Sequence, residues 1–224
     1  MELEDKIVVI TGGTKGLGRA IALSFLENGS KVIVCSHEEN RPEDLNKEIL
    51  WIKADVTKED EIKNLVEKVV EKFEKLDIWI NNAGIWLPHL PIQETDWERA
   101  HDLIKVNLFG TVYGSKNALI QMRKQDFGII LNILSTSALD GKVNETAYCS
   151  SKFAANGFTK SLMKEVDGKD IKVLAVYPGG MRTNLFDEKK PEKYNEFMDP
   201  NEVAFKIIEN LKKETPEEEL IIKE

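Results

Sequence analysis

The sequence predicts an α/β fold: a doubly wound parallel β-sheet of about seven strands, helices on both faces, in a single domain over residues 1–224. Three observations predict it. Short apolar runs alternate with amphipathic segments of helical period along the whole chain. Those runs are continuously apolar, as strands covered on both faces are. A glycine-rich turn follows the first run directly.

Taken in order, residues 7–11 form the first strand, stopped by glycines, and 17–28 a helix that ends at Gly29. Residues 31–35 and 49–54 are the second and third strands. Residues 58–75 form an amphipathic helix with Ile62, Leu65, Val66, Val69 and Phe73 on one face. Strand four covers 76–80. A long helix over 95–123 is expected to be capped by Thr95, with Glu98 three residues on. Strand five covers 128–134, a helix 147–166, strand six 171–176, a helix 200–213 and a last short strand 220–223. No repeat or linker interrupts the pattern. The segment 184–199 is polar with a few aromatics and is expected on the substrate side, as a lid or a surface connection.

Composition narrows the class. A formal charge of −8 argues against binding nucleic acid or an anionic membrane surface. No stretch nears the roughly 20 apolar residues of a membrane span. The acidic start, residues 1–6, resembles no secretion signal. Cys35 and Cys149 fit no metal or redox spacing, so two reduced thiols in the cytoplasm are expected. His37, His89 and His101 show no zinc spacing, and no metal is expected.

Strand one runs into Thr11-Gly12-Gly13-Thr14-Lys15-Gly16-Leu17-Gly18, where a helix opens. Glycines there permit a tight path and let phosphate oxygens approach free amides at the positive end of the helix dipole. Without a ligand the same residues would simply make a turn. The spacing TGxxxGxG differs from the GxGxxG dinucleotide fingerprint.

Tyr148 and Lys152 stand four apart in a helix and share a face. A free phenol has a pKa of about 10, and a fixed cation beside it is expected to lower that value. Tyr148 can then act as acid for carbonyl reduction or base for alcohol oxidation. Alone, YxxxK could equally be a surface pair.

The glycine spacing, Asn81-Asn82-Ala83-Gly84 after strand four and Tyr148-Cys149-Ser150-Ser151-Lys152 together resemble the short-chain dehydrogenase/reductase family, over residues 6 to about 183. The resemblance implies a Rossmann-type fold and hydride transfer between a nicotinamide and a small carbonyl or alcohol substrate. It implies that Gly12, Thr14, Lys15, Gly16, Leu17 and Gly18 cradle the cofactor, and that Asp55 and Val56 address the adenine. Asn82, Ala83 and Gly84 would line it, as would Pro178, Gly179 and Thr183 at the nicotinamide end. Lys152 would also hold the nicotinamide ribose. Ser135 stands at the end of strand five, thirteen residues before Tyr148, where the family carries its substrate-binding serine. Ser137 is its rival, because Leu134 replaces the usual first serine of NISSxAG. Asn107 matches the Asn that holds a water between the lysine and solvent, or else is a buried structural amide.

Cofactor choice depends on charge near the adenosine ribose. An NAD site wants a carboxylate about 20 residues beyond the glycine turn; Ser36 and His37 stand there instead. With Lys15 in the loop, NADP(H) is favoured over NAD(H), although Glu38 is close enough to bind a ribose. Trp86, His89, Asn144, Phe153, Phe186, Tyr194 and Phe197 are candidate pocket walls. A homodimer or homotetramer is expected by analogy. The alternatives are an NAD-dependent alcohol dehydrogenase, a dinucleotide-sensing regulator without catalysis and, against the glycine spacing, a sugar-nucleotide epimerase.

Overall fold

The computed structural model describes residues 1–166 and 170–223. Seven strands make one parallel sheet in the order β3-β2-β1-β4-β5-β6-β7. The strands are β1 (Ile7–Thr11), β2 (Lys31–Ser36), β3 (Leu50–Lys53), β4 (Ile78–Asn81), β5 (Gly128–Ile133), β6 (Ile171–Pro178) and β7 (Glu219–Ile222). The helices are α1 (Gly16–Glu27), α2 (Glu59–Phe73), α3 (Trp97–Ile104), α4 (Gly110–Gln125), α5 (Thr146–Val166) and α6 (Pro200–Lys212).

The period-2 geometry of β1 divides the core. Val8 and Ile10 face one side, with Leu17, Ile21 and Phe25 of α1 and Val203, Ile207 and Leu211 of α6. Ile7 and Val9 face the other, with Ile62, Leu65 and Val69 of α2, Ala118 and Met122 of α4 and Leu162 of α5. Both faces are dry, which is why the strand sequences are continuously apolar.

The long helix expected over 95–123 is corrected in two ways. Asp96, not Thr95, caps it: its Oδ1 accepts from the amides of Glu98 at 3.0 Å and Arg99 at 3.2 Å. The Thr95 hydroxyl instead donates to the Pro91 carbonyl at 3.3 Å. The helix is also broken by a π-helical turn over Lys105–Phe109, which separates α3 from α4. Asn107 sits inside that turn, and the extra residue turns its amide inward.

A polar seam runs between the central strands and helices. Trp79 Nε1 donates to Asn81 Oδ1 at 2.7 Å, and Asn81 Nδ2 donates to Ser115 Oγ at 2.9 Å and Asn132 Oδ1 at 2.8 Å. Asn132 Nδ2 donates to Thr159 Oγ1 at 2.9 Å. Every buried side-chain polar atom among the described residues has a partner. Such a saturated network fixes α4 and α5 against β4 and β5, and so fixes what α5 presents at the sheet's C-terminal edge. The chain winds outward to β3, then returns to place β4 beside β1. Open α/β sheets bind ligands above that switch point.

Candidate active site

A cleft of about 750 Å³ lies there. Gly12 opens it with φ +62°, and a Cβ on Gly12 would come 2.9 Å from Ala83 Cα. A Cβ on Gly18 would come 2.4 Å from the Gly12 carbonyl oxygen and 2.4 Å from Asn82 Nδ2. The glycines therefore let α1 start hard against the β1 turn and the β4 end. No side chain caps α1, and no acidic residue stands in its first turn. Its leading amides and positive dipole end are left for an anion, and Thr14, Lys15, Gly16 and Leu17 line the cleft beside them. This cradle fits a dinucleotide pyrophosphate.

The β4 end is bolted to the β1 end. The Thr11 hydroxyl accepts from the amides of Asn82 and Ala83, both at 3.0 Å. Asn82 Nδ2 donates to the carbonyls of Thr11 at 2.9 Å and Gly12 at 3.1 Å. Ala83 and Gly84 continue the floor. Asp55 and Val56 line the far end, where Asp55 Oδ1 accepts from the Thr57 amide at 2.9 Å.

Beyond β2, Ser36, His37 and Glu38 line the cleft together. Lys15 Nζ lies 2.7 Å from Glu38 Oε1, and the Ser36 hydroxyl donates to Glu38 Oε2 at 2.9 Å. The lysine and the carboxylate that pull cofactor choice in opposite directions are thus paired with each other. On the opposite wall, Pro178 and Gly179 end β6, and Thr183 reaches over the glycine turn. A Cβ on Gly16 would come 3.2 Å from Thr183 Cβ.

Ser135, Tyr148 and Lys152 line the cleft together. Ser135 heads a short turn after β5, its hydroxyl accepting from the Ser137 amide at 3.1 Å. Hydrogen bonding to Ser135 favours the Tyr148 phenolate, but burial outweighs it and pushes the phenol above its ordinary value. The expected lowering is therefore not present in the protein alone. The reason is placement: Lys152 Nζ lies 5.9 Å from the Tyr148 ring centre and donates to the Ile133 carbonyl at 3.2 Å. Burial also lowers Lys152 to about 8. Ser137 lines the same cleft, but its hydroxyl is committed to Glu145 Oε2 at 3.2 Å.

Asn107 lies behind the wall, 1 % exposed. Its Oδ1 accepts from the Ile85 amide at 2.9 Å, and its Nδ2 donates to the Ile85 carbonyl at 3.0 Å and to Ser151 Oγ at 3.1 Å. It ties the segment after β4 to α5 one residue before Lys152.

Of the expected walls, Trp86, His89, Phe186 and Phe197 line the cleft. Asn144 and Phe153 do not: both are exposed, and Phe153 projects from the outer side of α5. Tyr194 backs the wall, its ring 6.0 Å from Phe186 and 5.9 Å from Phe197. The segment 184–199 does border the cleft, through Asn184, Leu185, Glu188 and Pro191 as well. Sequence reasoning missed Arg99, which pairs with Glu188 across the mouth, and Glu145. Glu145 had a signal: it precedes Tyr148 by three, one helical turn away.

The chain resembles known proteins over most of its length. The short chain dehydrogenase family profile matches residues 6–194. The chain is 37% identical to the 3-oxoacyl-(acyl-carrier-protein) reductase of Thermotoga maritima, over 93% of this chain and 91% of the relative. It is 32% identical to L-fucose dehydrogenase of Bos taurus, over 82% of this chain and 68% of the relative. The solved structure of an alcohol dehydrogenase from Thermococcus sibiricus, complexed with 5-hydroxy-NADP, superposes with a TM-score of 0.88. That pair is 25% identical, and the match covers 98% of this chain and 96% of the other. The chain belongs to the short-chain dehydrogenase family, an NAD(P)-dependent oxidoreductase acting on CH–OH and C=O groups.

Proposed function

We propose that this protein interconverts a carbonyl compound and its alcohol with NADP(H), using Tyr148 as general acid and base. One observation carries the reading: Ser135, Tyr148 and Lys152 line the same continuous cleft as the glycine turn. When bound, the nicotinamide supplies the hydride for reduction or takes it up in oxidation. In reduction the Ser135 hydroxyl holds the substrate oxygen, and Tyr148 gives that oxygen its phenol proton. A high phenol pKa suits the donor: the proton is present throughout the neutral range. The Lys152 ammonium stabilises the phenolate that forms and restores its proton. We assign Asn107 to positioning, since it anchors Ser151 and the Ile85 backbone.

Lys15 is the cation offered to a 2′-phosphate, with His37 beside it and Ser36 leaving room. The Glu38 carboxylate favours a second reading, NAD(H), in which it accepts from the ribose hydroxyls. The whole chain serves as one nucleotide-binding unit, with 184–199 on its substrate side. Two buried free thiols suit a reducing cytoplasm. Phe109, Ile120 and Phe153, exposed on the α3–α4 turn, α4 and α5, offer apolar surface for a homo-oligomer. No helix among the described residues is long and apolar enough to cross a membrane.

Following NADPH and NADH consumption separately against a panel of carbonyls tests the reading. NADPH is expected to give the higher kcat/KM, level below about pH 8 and falling above it as Lys152 loses its proton. Preference for NADH transfers the ribose assignment to Glu38. No consumption of either nucleotide rejects the reading.

A further inference from the structure

The proposed proton transfer leaves several ionisable groups lining the cleft unemployed, and Glu145 is the one nearest in sequence to Tyr148. Glu145 immediately precedes α5, one turn before Tyr148, with its side chain 10% exposed. Its Oε1 lies 2.9 Å from His89 Nε2, and its Oε2 accepts from the Ser137 hydroxyl at 3.2 Å. Both partners, like Glu145 itself, line the cleft.

We propose that Glu145, positioned by His89 and Ser137, accepts hydrogen bonds from a substrate hydroxyl and selects neutral, hydroxyl-bearing carbonyls and alcohols. The inference rests on the oxidoreductase reading above and adds the substrate class to it.

The argument starts from lone pairs. A carboxylate has about four acceptor sites, and His89 and Ser137 occupy one on each oxygen. The remaining sites belong to a group that borders open cleft. Glu145 also stays ionised: burial works against its charge, but the His89 hydrogen bond and charge prevail and hold it below the ordinary carboxyl range. An ionised, partly buried acceptor favours O–H donors. It also repels anionic groups near the reacting carbon. Of the cleft's other charged groups, Arg99 is paired with Glu188, while His89 and Lys142 act on the carboxylate itself and help keep it ionised.

The subsite is held firmly. The Leu90 amide donates to the Asn144 carbonyl at 3.0 Å, stitching the His89 segment to the turn before α5. The Trp86 ring stands edge-on to His89 at 5.1 Å and to Phe186 at 5.0 Å. An aromatic wall beside a carboxylate matches a molecule with a C–H face and an O–H edge, as a polyol, an aldose or a hydroxy ketone has. Glu145 stands one helical turn before Tyr148 and lines the same cleft, so its free acceptor sites and the phenol border one substrate space.

Matched pairs test this: 2-hydroxycyclohexanone against cyclohexanone, cyclohexane-1,2-diol against cyclohexanol, and an aldose against its 2-deoxy analogue. Wild type is expected to prefer the hydroxylated member of at least one pair by roughly 10- to 100-fold in kcat/KM, the effect of one hydrogen bond to a charged group. Glu145→Leu should bring that ratio to within about threefold of one. The isosteric Glu145→Gln, which keeps an acceptor and the packing, should lose at least about threefold of it and serves if the leucine variant does not fold. Equal rates within every pair, or a preference that survives both substitutions, overturns the inference while leaving the oxidoreductase reading in place. No turnover of any member with either nucleotide removes that reading, and the inference with it.

Discussion

Gly18→Ala is expected to abolish measurable nucleotide binding, and turnover with it. The added Cβ would sit 2.4 Å from the Gly12 carbonyl oxygen and 2.4 Å from Asn82 Nδ2. Neither neighbour can yield. The Gly12 oxygen belongs to backbone held at φ +62°, and Asn82 is committed to Thr11 and Gly12 by two hydrogen bonds. The first turn of α1 must therefore lift away, carrying with it the amides that face the pyrophosphate. Overpacking of this kind costs about 1–3 kcal/mol in stability, and the loss of a preformed anion cradle should weaken the nucleotide by about a hundredfold or more. Gly157→Ala is the control: nothing lies within 4 Å of its added Cβ, and it sits in the middle of α5. That change should leave binding alone and stabilise the fold by roughly 0.5–1 kcal/mol. Fluorescence titration with NADPH and NADH, beside thermal unfolding, reads both. Normal binding by Gly18→Ala would mean that the dinucleotide does not lie in the cradle.

Lys152→Met should separate stability from activity. Burial lowers the ammonium to about 8, which corresponds to roughly 3 kcal/mol against the protonated form. It has one hydrogen bond, to the Ile133 carbonyl, and burial is the sole cause of its shift. Methionine fills similar space without charge, and the freed carbonyl costs about 1 kcal/mol. The variant should therefore melt no lower than wild type. Its kcat for reduction should nevertheless fall on the order of 10²–10⁴-fold, the usual worth of a positioned proton-transfer group. The decline above about pH 8 should disappear with the group that causes it. A variant that melts lower but keeps its activity would assign Lys152 to the core instead.

How much of this was readable in advance depends on whether a feature is local in sequence. The strands were legible because burial on both faces leaves continuous apolar runs such as Ile7–Thr11. The glycine turn was legible because its demand on the backbone is met within seven residues. The α3 cap was misread, since Thr95 and Asp96 are both good caps and only the Pro91 turn decides between them. The π-turn at Asn107 left only the hint of an Asn in a helix interior. The phenol's raised pKa was not readable, because helical spacing gives a shared face but not the depth at which Nζ lies or its bond to Ile133. Glu145 was missed because its partner His89 comes from another segment, 56 positions earlier in the chain. The pairing of Lys15 with Glu38 likewise joins two loops that stand 23 positions apart in the chain.

The central claim is that the Tyr148 phenol supplies and removes the proton at the reacting oxygen while other groups hold the nucleotide. Tyr148→Phe deletes one oxygen atom and keeps the ring. The decisive measurement is kcat with the best carbonyl substrate, set beside nucleotide affinity in the same preparation. The account predicts a fall in kcat on the order of 10²–10⁴-fold, with the dissociation constant changed by less than about threefold. Turnover by the phenylalanine variant at the wild-type rate would contradict it.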